Sequence, residues 1–181
     1  MTKDAERRLL SCACGAVRVV VEGTPIASVE CCCTTCSEAS SVFEGLRGAG
    51  SVRTSLGTTA YVLCRKDRVT FETGTDGLVS HRLTPDATSR RVLAECCNTP
   101  LFLEFNGGHW LSMYAALWPE GSRPAVQERT MTRSLPDRSV LPADVPNPKR
   151  HTVAFYARLL RAWAQMGFRS PSIEIERTID A

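Results

Sequence analysis

The sequence predicts a mainly β protein closed by one C-terminal helix, and three observations carry that prediction. Short β-branched and aromatic runs recur between residues 16 and 133, separated by Gly, Pro, Asn and polar turns. Sustained helical periodicity appears only after residue 150. Eight of the nine cysteines stand in three blocks at the ends of those runs, a distribution suited to metal sites that tie strands together.

Taken in order, the residues up to Leu10 read as a ragged lead-in. Cys12-Ala13-Cys14-Gly15 precedes the run 16–22, whose Val17, Val19, Val20 and Val21 mark a strand, and Gly23-Thr24-Pro25 turns it. Residues 26–33 read as the returning strand and 36–43 as a short helix. The four glycines of 45–57 mark a loop, and a loop of that length is expected to border a site. Strands are then expected over 58–64, 68–73, 78–83 and 89–96. Residues 99–105 and 110–117 form a hairpin across Asn106-Gly107-Gly108, and 128–133 an edge strand. The four prolines of 136–148 make a strap. Beyond it Val153, Tyr156, Leu160 and Trp163 share one helical stripe, with Leu159 and Met166 alongside and Gly167 at the C-cap. That stripe is expected to pack on its own domain, with a homodimer contact as the alternative. The division is a zinc-binding β domain over 8–135 and a strap with an amphipathic helix over 136–181.

Composition narrows the function classes. The 181 residues suffice for one well-cored domain, and a net charge of +3 without any Lys/Arg block gives no support to nucleic-acid binding. No apolar run could span a membrane, and the charged start MTKDAERRLL lacks a secretory apolar core. Nine cysteines, several of them adjacent, fit a disulfide framework poorly, so a reducing cytoplasm and metal-bound thiolates are the expectation.

The densest block is Cys31-Cys32-Cys33-Thr34-Thr35-Cys36. Alternation along an extended strand points Cys31 and Cys33 one way and Cys32 the other, and a turn at Thr34-Thr35 can return Cys36 beside the first two. Three thiolates then converge, at about 2.3 Å each, on a zinc ion that keeps a fourth position. Spacing alone leaves two readings: an open site, or a structural site whose shell is closed by Cys32 or a distant residue. Cys12 and Cys14 present a second pair, and Cys96-Cys97 would complete a closed four-thiolate site if a knuckle-like turn lets both bind. Otherwise only one of them does.

Together these blocks resemble the glutathione-dependent formaldehyde-activating enzyme and centromere protein V family. The resemblance runs through Cys12-Ala13-Cys14-Gly15-Ala16-Val17, Cys31 to Cys36, and Cys97-Asn98-Thr99-Pro100-Leu101, over about the first two-thirds of the chain. It implies a β-tent of antiparallel sheets and two zinc ions: a structural one from the first and third blocks and a three-cysteine one at Cys31, Cys33 and Cys36. Ala94 stands where the family's pattern has a cysteine, and Cys96 is the available substitute. Asn98 replaces a usual glycine, and Cys32 a common histidine.

Zinc with three thiolates is formally −1, so it suits sulfur chemistry better than water activation. The expected function is a zinc-dependent carbon–sulfur lyase-like enzyme acting on a small thiol and a small carbonyl compound, with Cys31, Cys33 and Cys36 as its working centre. Glutathione and formaldehyde are what the resemblance implies. The alternative is a non-catalytic zinc-stabilised binding module. Among other candidates, Cys64 reads as a buried apolar thiol, and His81 as a strand residue with an ordinary polar partner or a place at the site. His109 reads as a turn residue and His151 as a solvated helix start. Arg47 and Arg53 are loop cations that are either solvated or available to a substrate carboxylate.

Overall fold

The computed structural model describes residues 6–119 and 121–179. Their strands are β1 (Arg7–Ser11), β2 (Arg18–Glu22), β3 (Ala27–Cys31), β4 (Thr59–Arg65), β5 (Val69–Thr73), β6 (Leu78–His81), β7 (Ser89–Ala94), β8 (Thr99–Phe105), β9 (Trp110–Tyr114) and β10 (Glu128–Thr130). The helices are α1 (Thr34–Glu44), between β3 and β4, and α2 (Val153–Gln165). The fold is mainly β with a C-terminal helix, as expected. No described helix is long and apolar enough to cross a membrane. The first five residues of the expected lead-in and the last two of the C-terminal unit lie outside the described residues.

Seven strands form one sheet in the order β10-β3-β4-β9-β8-β7-β6, and β1-β2-β5 form a second. Period-2 alternation splits β4 between two cores. Val62 and Cys64 face the small sheet, where Leu10, Val17, Val19 and Val21 meet Val92, Phe102 and Met113. Tyr61 and Leu63 face the opposite way, toward Phe43 of α1 and Phe155 and Leu159 of α2. Both faces of the large sheet are therefore covered, which accounts for a β4 that is buried almost end to end.

Three expectations are corrected. Residues 7–11 are not a lead-in but a strand, paired antiparallel with β2 so that Leu10 sits opposite Val19. Leu10 goes inside while the arginines stay on the rim, a half-buried pattern too short to stand out in the sequence. The large sheet is not wholly antiparallel: β10 lies parallel to β3, with Glu128, Arg129 and Thr130 opposite Val29, Glu30 and Cys31. Finally, α2 turns Phe155, Leu159, Ala162 and Met166 inward and leaves Val153, Tyr156 and Leu160 exposed. The helix carries two adjacent apolar stripes, and periodicity cannot choose between them.

The strap 136–148 and the C-terminal segment are packed into the β structure. Arg129 and Thr132 donate backbone hydrogen bonds to the Pro146 and Pro148 carbonyls. Residues 177–179 run along the free edge of β6, where the Ser80 amide donates to Arg177 and the Ile179 amide to Ser80. Covering that edge removes a row of unpaired backbone groups.

The parallel pairing of β10 is held by a buried ion network. Arg129 Nε donates to Glu30 Oε2 at 2.9 Å, and its Nη1 and Nη2 reach Asp144 at 2.7 and 3.1 Å. Thr58 adds a hydroxyl to the same Glu30 oxygen. Arg129→Ala, which leaves Glu30 charged and buried, should lower the unfolding free energy by about 3–5 kcal/mol in urea denaturation. Asp144→Asn, at an exposed carboxylate, should cost far less. Equal losses for the two would show that the burial of Glu30 is not what matters.

Candidate metal centres

Two groups of cysteines each bring their sulfur atoms within 4.8 Å of one another. The first contains Cys12, Cys14, Cys96 and Cys97, at the end of the sheets where the β1–β2 and β7–β8 turns meet. Gly15 makes the first turn with a positive φ of 77°, its amide bonded to the Cys12 carbonyl, and the Val17 amide points at the Cys12 sulfur. The second turn runs from Glu95 to Asn98. Asn98 takes φ of 55° where the resembled family has glycine, an angle asparagine tolerates better than most residues. Its side-chain amide donates to the Arg47 carbonyl. This knuckle carries both adjacent cysteines to the site.

Sulfurs bound tetrahedrally to one zinc ion at about 2.3 Å stand about 3.8 Å apart. Here Cys12 lies 3.6 Å from Cys14 and 3.8 Å from Cys96, and Cys96 lies 3.8 Å from Cys97, with the Cys14–Cys96 contact at 3.2 Å. Four convergent thiols of this spacing fit a metal ion, and they close its shell. The Thr99 hydroxyl lies 3.0 Å from the Cys97 sulfur. Against a desolvation that opposes it, this contact and backbone amides lower the Cys97 thiol to about 6.

The second group is Cys31, Cys33 and Cys36. Cys31 ends β3, opposite Thr59 on one side and Thr130 on the other. Cys33 is the N-cap of α1, its sulfur accepting the Cys36 amide at 3.4 Å, and Cys36 follows in the first turn. Strand end and helix start thus place three sulfurs together, with Cys31 and Cys33 3.3 Å apart. Cys32 is turned away toward Glu30 and Arg129, and its thiol is raised to about 11 mainly by burial. No fourth Cys, His, Asp or Glu among the described residues joins the three at that distance.

Without a cation, three thiols this close cannot all ionise. Contacts from Cys31 and then Cys36 hold the Cys33 thiol well below its ordinary value, and the helix start adds to that stabilisation. Cys31 is driven far up by its contacts with Cys33 and Cys36 and by burial. Cys36 is favoured as thiolate by Cys31 but pushed up to about 11 by Cys33 and burial. The close contacts therefore favour the thiolate at Cys33 and oppose ionisation of Cys31 and Cys36 beside it.

Two arginines bond the backbone carbonyls that flank Cys36, Arg53 at Ser37 and Arg91 at Thr35. Arg53 is engaged by Glu44, Ser37 and Ser41 and braces α1. The backbone of Arg47 serves the other cysteine group. Arg91 on β7, by contrast, is 1% exposed, on the α1 side of the large sheet. One of its nitrogens donates to the carbonyl of Thr35, next to Cys36, at 3.2 Å. Its Nε and Nη1 have no hydrogen-bond partner among the described residues. Tyr114, which feels both Arg91 and Cys36, packs 5.0 Å from the Tyr61 ring, and the Tyr61 hydroxyl donates to the Cys36 sulfur. A bare buried guanidinium is costly, and the thiolates are the anions at hand. Three thiolates, a divalent metal ion and Arg91 sum to zero formal charge.

The sulfurs lie at the wall of a cavity of about 340 Å³ enclosed by β3, β4, β8, β9, β10 and α2. His151, expected at a solvated helix start, lies instead in that wall. It precedes α2, stacks on Phe155 at 4.5 Å, and pairs through Nδ1 with the Thr130 hydroxyl at 2.9 Å. Burial holds its imidazole below the usual range, partly offset by Glu128 and Cys33. His109 lies in the β8–β9 turn, as expected, but its side chain is buried, hydrogen-bonded to the Leu159 carbonyl at 2.9 Å and stacked on Trp163. His81 packs against Phe43 away from the site, with Ile179 as its polar partner. Cys64 is a buried thiol, as expected. His151 and Arg91 are the site residues that sequence reasoning missed. No local pattern marks either one, because each reaches the cysteines only through sheet pairing.

No protein-family model matches the chain, and no curated protein matches it. A crystal structure of a Rhodobacter sphaeroides protein is similar over 77% of this chain and 99% of its own, at 17% identity and a TM-score of 0.46.

Elemental analysis of protein purified without chelator should give two metal ions per chain. Cys14→Ser should lower stability and soluble yield, whereas Cys33→Ser should remove one ion and spare most of the fold. The reverse pattern would exchange the two roles. Loading the Cys31 site must displace the protons of Cys31 and Cys36, so its apparent affinity should rise about a hundredfold per pH unit near neutrality. Competition with a chromophoric chelator at pH 6.5 and 7.5 measures this, and a flat profile would mean the thiols are already ionised. In the same assay Arg91→Met should weaken this site about tenfold or more and leave the four-cysteine site unchanged.

Proposed function

We propose that the chain is a divergent relative of the glutathione-dependent formaldehyde-activating enzymes: a zinc-dependent, carbon–sulfur lyase-like enzyme with a β-tent fold. It forms or cleaves the adduct between a thiol and a small carbonyl compound. One zinc ion serves structure at Cys12, Cys14, Cys96 and Cys97, and the other serves chemistry at Cys31, Cys33 and Cys36. The observation that carries this reading is the difference between the two groups. Four sulfurs complete one shell, while three sulfurs at a cavity wall leave a position that a ligand can reach.

Zinc at the three-cysteine site would hold an incoming thiol as its thiolate, which is nucleophilic at neutral pH. The chain's own residues do the rest. His151, neutral and held by Thr130, takes the thiol proton. Sulfur attacks the carbonyl carbon, the C–S bond forms as the C=O π bond opens, and the proton is returned to the new hydroxyl. Cleavage runs the same steps backward. Arg91 offsets the three cysteine thiolates, the protonated His151 offsets the incoming one, and the apolar wall keeps water from competing.

Cobalt in place of zinc reports the fourth ligand. Adding 2-mercaptoethanol should shift the sulfur-to-metal absorption, and Cys33→Ser should abolish that response. His151→Gln should preserve the shift while slowing adduct formation at least about tenfold. A cobalt spectrum unmoved by any thiol would mean a closed shell and a binding module rather than an enzyme.

A further inference from the structure

We infer that the compound taken by the three-cysteine cavity has an apolar body, an aryl or branched-alkyl tail on its thiol or carbonyl group, and that charged thiols of the glutathione type are disfavoured. The inference rests on the proposed function and concerns the part of the substrate that the chemistry at sulfur does not specify.

None of the sixteen residues lining the cavity is Lys, Arg, Asp or Glu. Beyond the cysteines its walls are built of Leu63, Leu103, Phe105, Trp110, Phe155 and Tyr156, with the His151 imidazole and the hydroxyls of Ser112 and Thr130 as its polar points. Two carboxylates and an ammonium group brought here would lose their water and find no countercharge. Sites that recognise carboxylates supply arginine or lysine forks; here Arg133, Lys149 and Arg150, cations close in sequence to Met131 and His151, are exposed and do not line the cavity, and others are committed elsewhere. Arg129 holds Glu30 and Asp144, and Arg158 holds Gln127 and Glu128. Lys66 and Arg90 both pair with Glu104 at a separate, polar cavity. Arg91 lies behind the cysteines and does not line this one.

The entrance is apolar as well. Phe105, Trp110, Tyr156 and Leu159 also line an open groove of about 690 Å³ between the β8–β9 hairpin and the outer stripe of α2. No charged residue among the described ones lines it. Val153, Tyr156 and Leu160, the stripe that α2 leaves out of the core, are 86%, 57% and 57% exposed. Side chains that folding leaves in water, continuous with a cavity that ends at a reactive centre, form a track for an apolar tail.

The cobalt-loaded protein, titrated with phenylmethanethiol, 2-mercaptoethanol and glutathione, gives three dissociation constants from one visible spectrum. Phenylmethanethiol should bind about tenfold or more tightly than glutathione, with 2-mercaptoethanol between them. Tyr156→Lys, at an exposed rim position, should narrow the ratio at least about threefold by weakening the first and strengthening the last. Parity, or a preference for glutathione, would overturn the inference and leave the thiol-accepting centre standing. Should no thiol move the spectrum, the reading of the centre fails, and phenylmethanol followed by tryptophan fluorescence decides the rest. Saturable quenching weakened by Tyr156→Lys retains the apolar ligand, and absence of quenching removes it.

Discussion

The buried pairing of Arg129 with Glu30 is the constraint on which the working end of this molecule depends. It secures β10 beside β3 in a single parallel register. A buried ion pair adds little net stability over a well-packed apolar pair, but it accepts no alternative partner. Slipping β10 by one residue would swing Arg129 toward the cavity and bury Thr130 beside Glu30. In the observed register Thr130 stands next to Cys31, the strap returns along β10, and His151 and α2 arrive over the cysteines. A surface carboxylate, Asp144, completes the guanidinium's hydrogen bonds from the strap itself. One arginine therefore coordinates the edge strand, the connection that follows it and the roof of the cavity.

The two cysteine groups use the same ligand type for different ends because their surroundings differ. The Cys12 group sits at turns, close to solvent, where four sulfurs need only each other and backbone amides. A metal ion there would join the start of the chain to the β7–β8 turn, more than eighty residues later. The Cys31 group is more deeply set, and three thiolates in such a place demand compensation. Arg91, buried and bonded to the carbonyl beside Cys36, is the group placed to answer that demand. Its buried, underused guanidinium is hard to rationalise as packing and easy to rationalise as the countercharge of an anionic centre. With that charge met by Arg91, the cavity wall is free to be apolar.

Much of this was legible in the sequence. The strand series follows from β-branched runs between turn residues, and the Asn106-Gly107-Gly108 hairpin forms where expected. The Cys31 group follows from local geometry: alternation separates Cys32 from Cys31 and Cys33, and a turn brings Cys36 back. Even the adjacent Cys96 and Cys97, awkward in a regular strand, signal the knuckle that lets both converge. These features depend on backbone periods and turn conformations that a few neighbouring residues decide.

The tertiary structure decided what no local period encodes. Which stripe of α2 faces inward depends on the cavity it covers, since both stripes are apolar. His151 and Arg91 reach the cysteines only because β10 pairs with β3 and β7 lies in the same sheet. Those are contacts between residues about 55 to 120 positions apart. Whether a histidine or an arginine is solvated or poised is set by desolvation and by the charges facing it, and both come from packing. The sequence by itself therefore determined which cysteines could hold metal, and the packing of distant strands determined the electrostatics and the shape of the cavity around them.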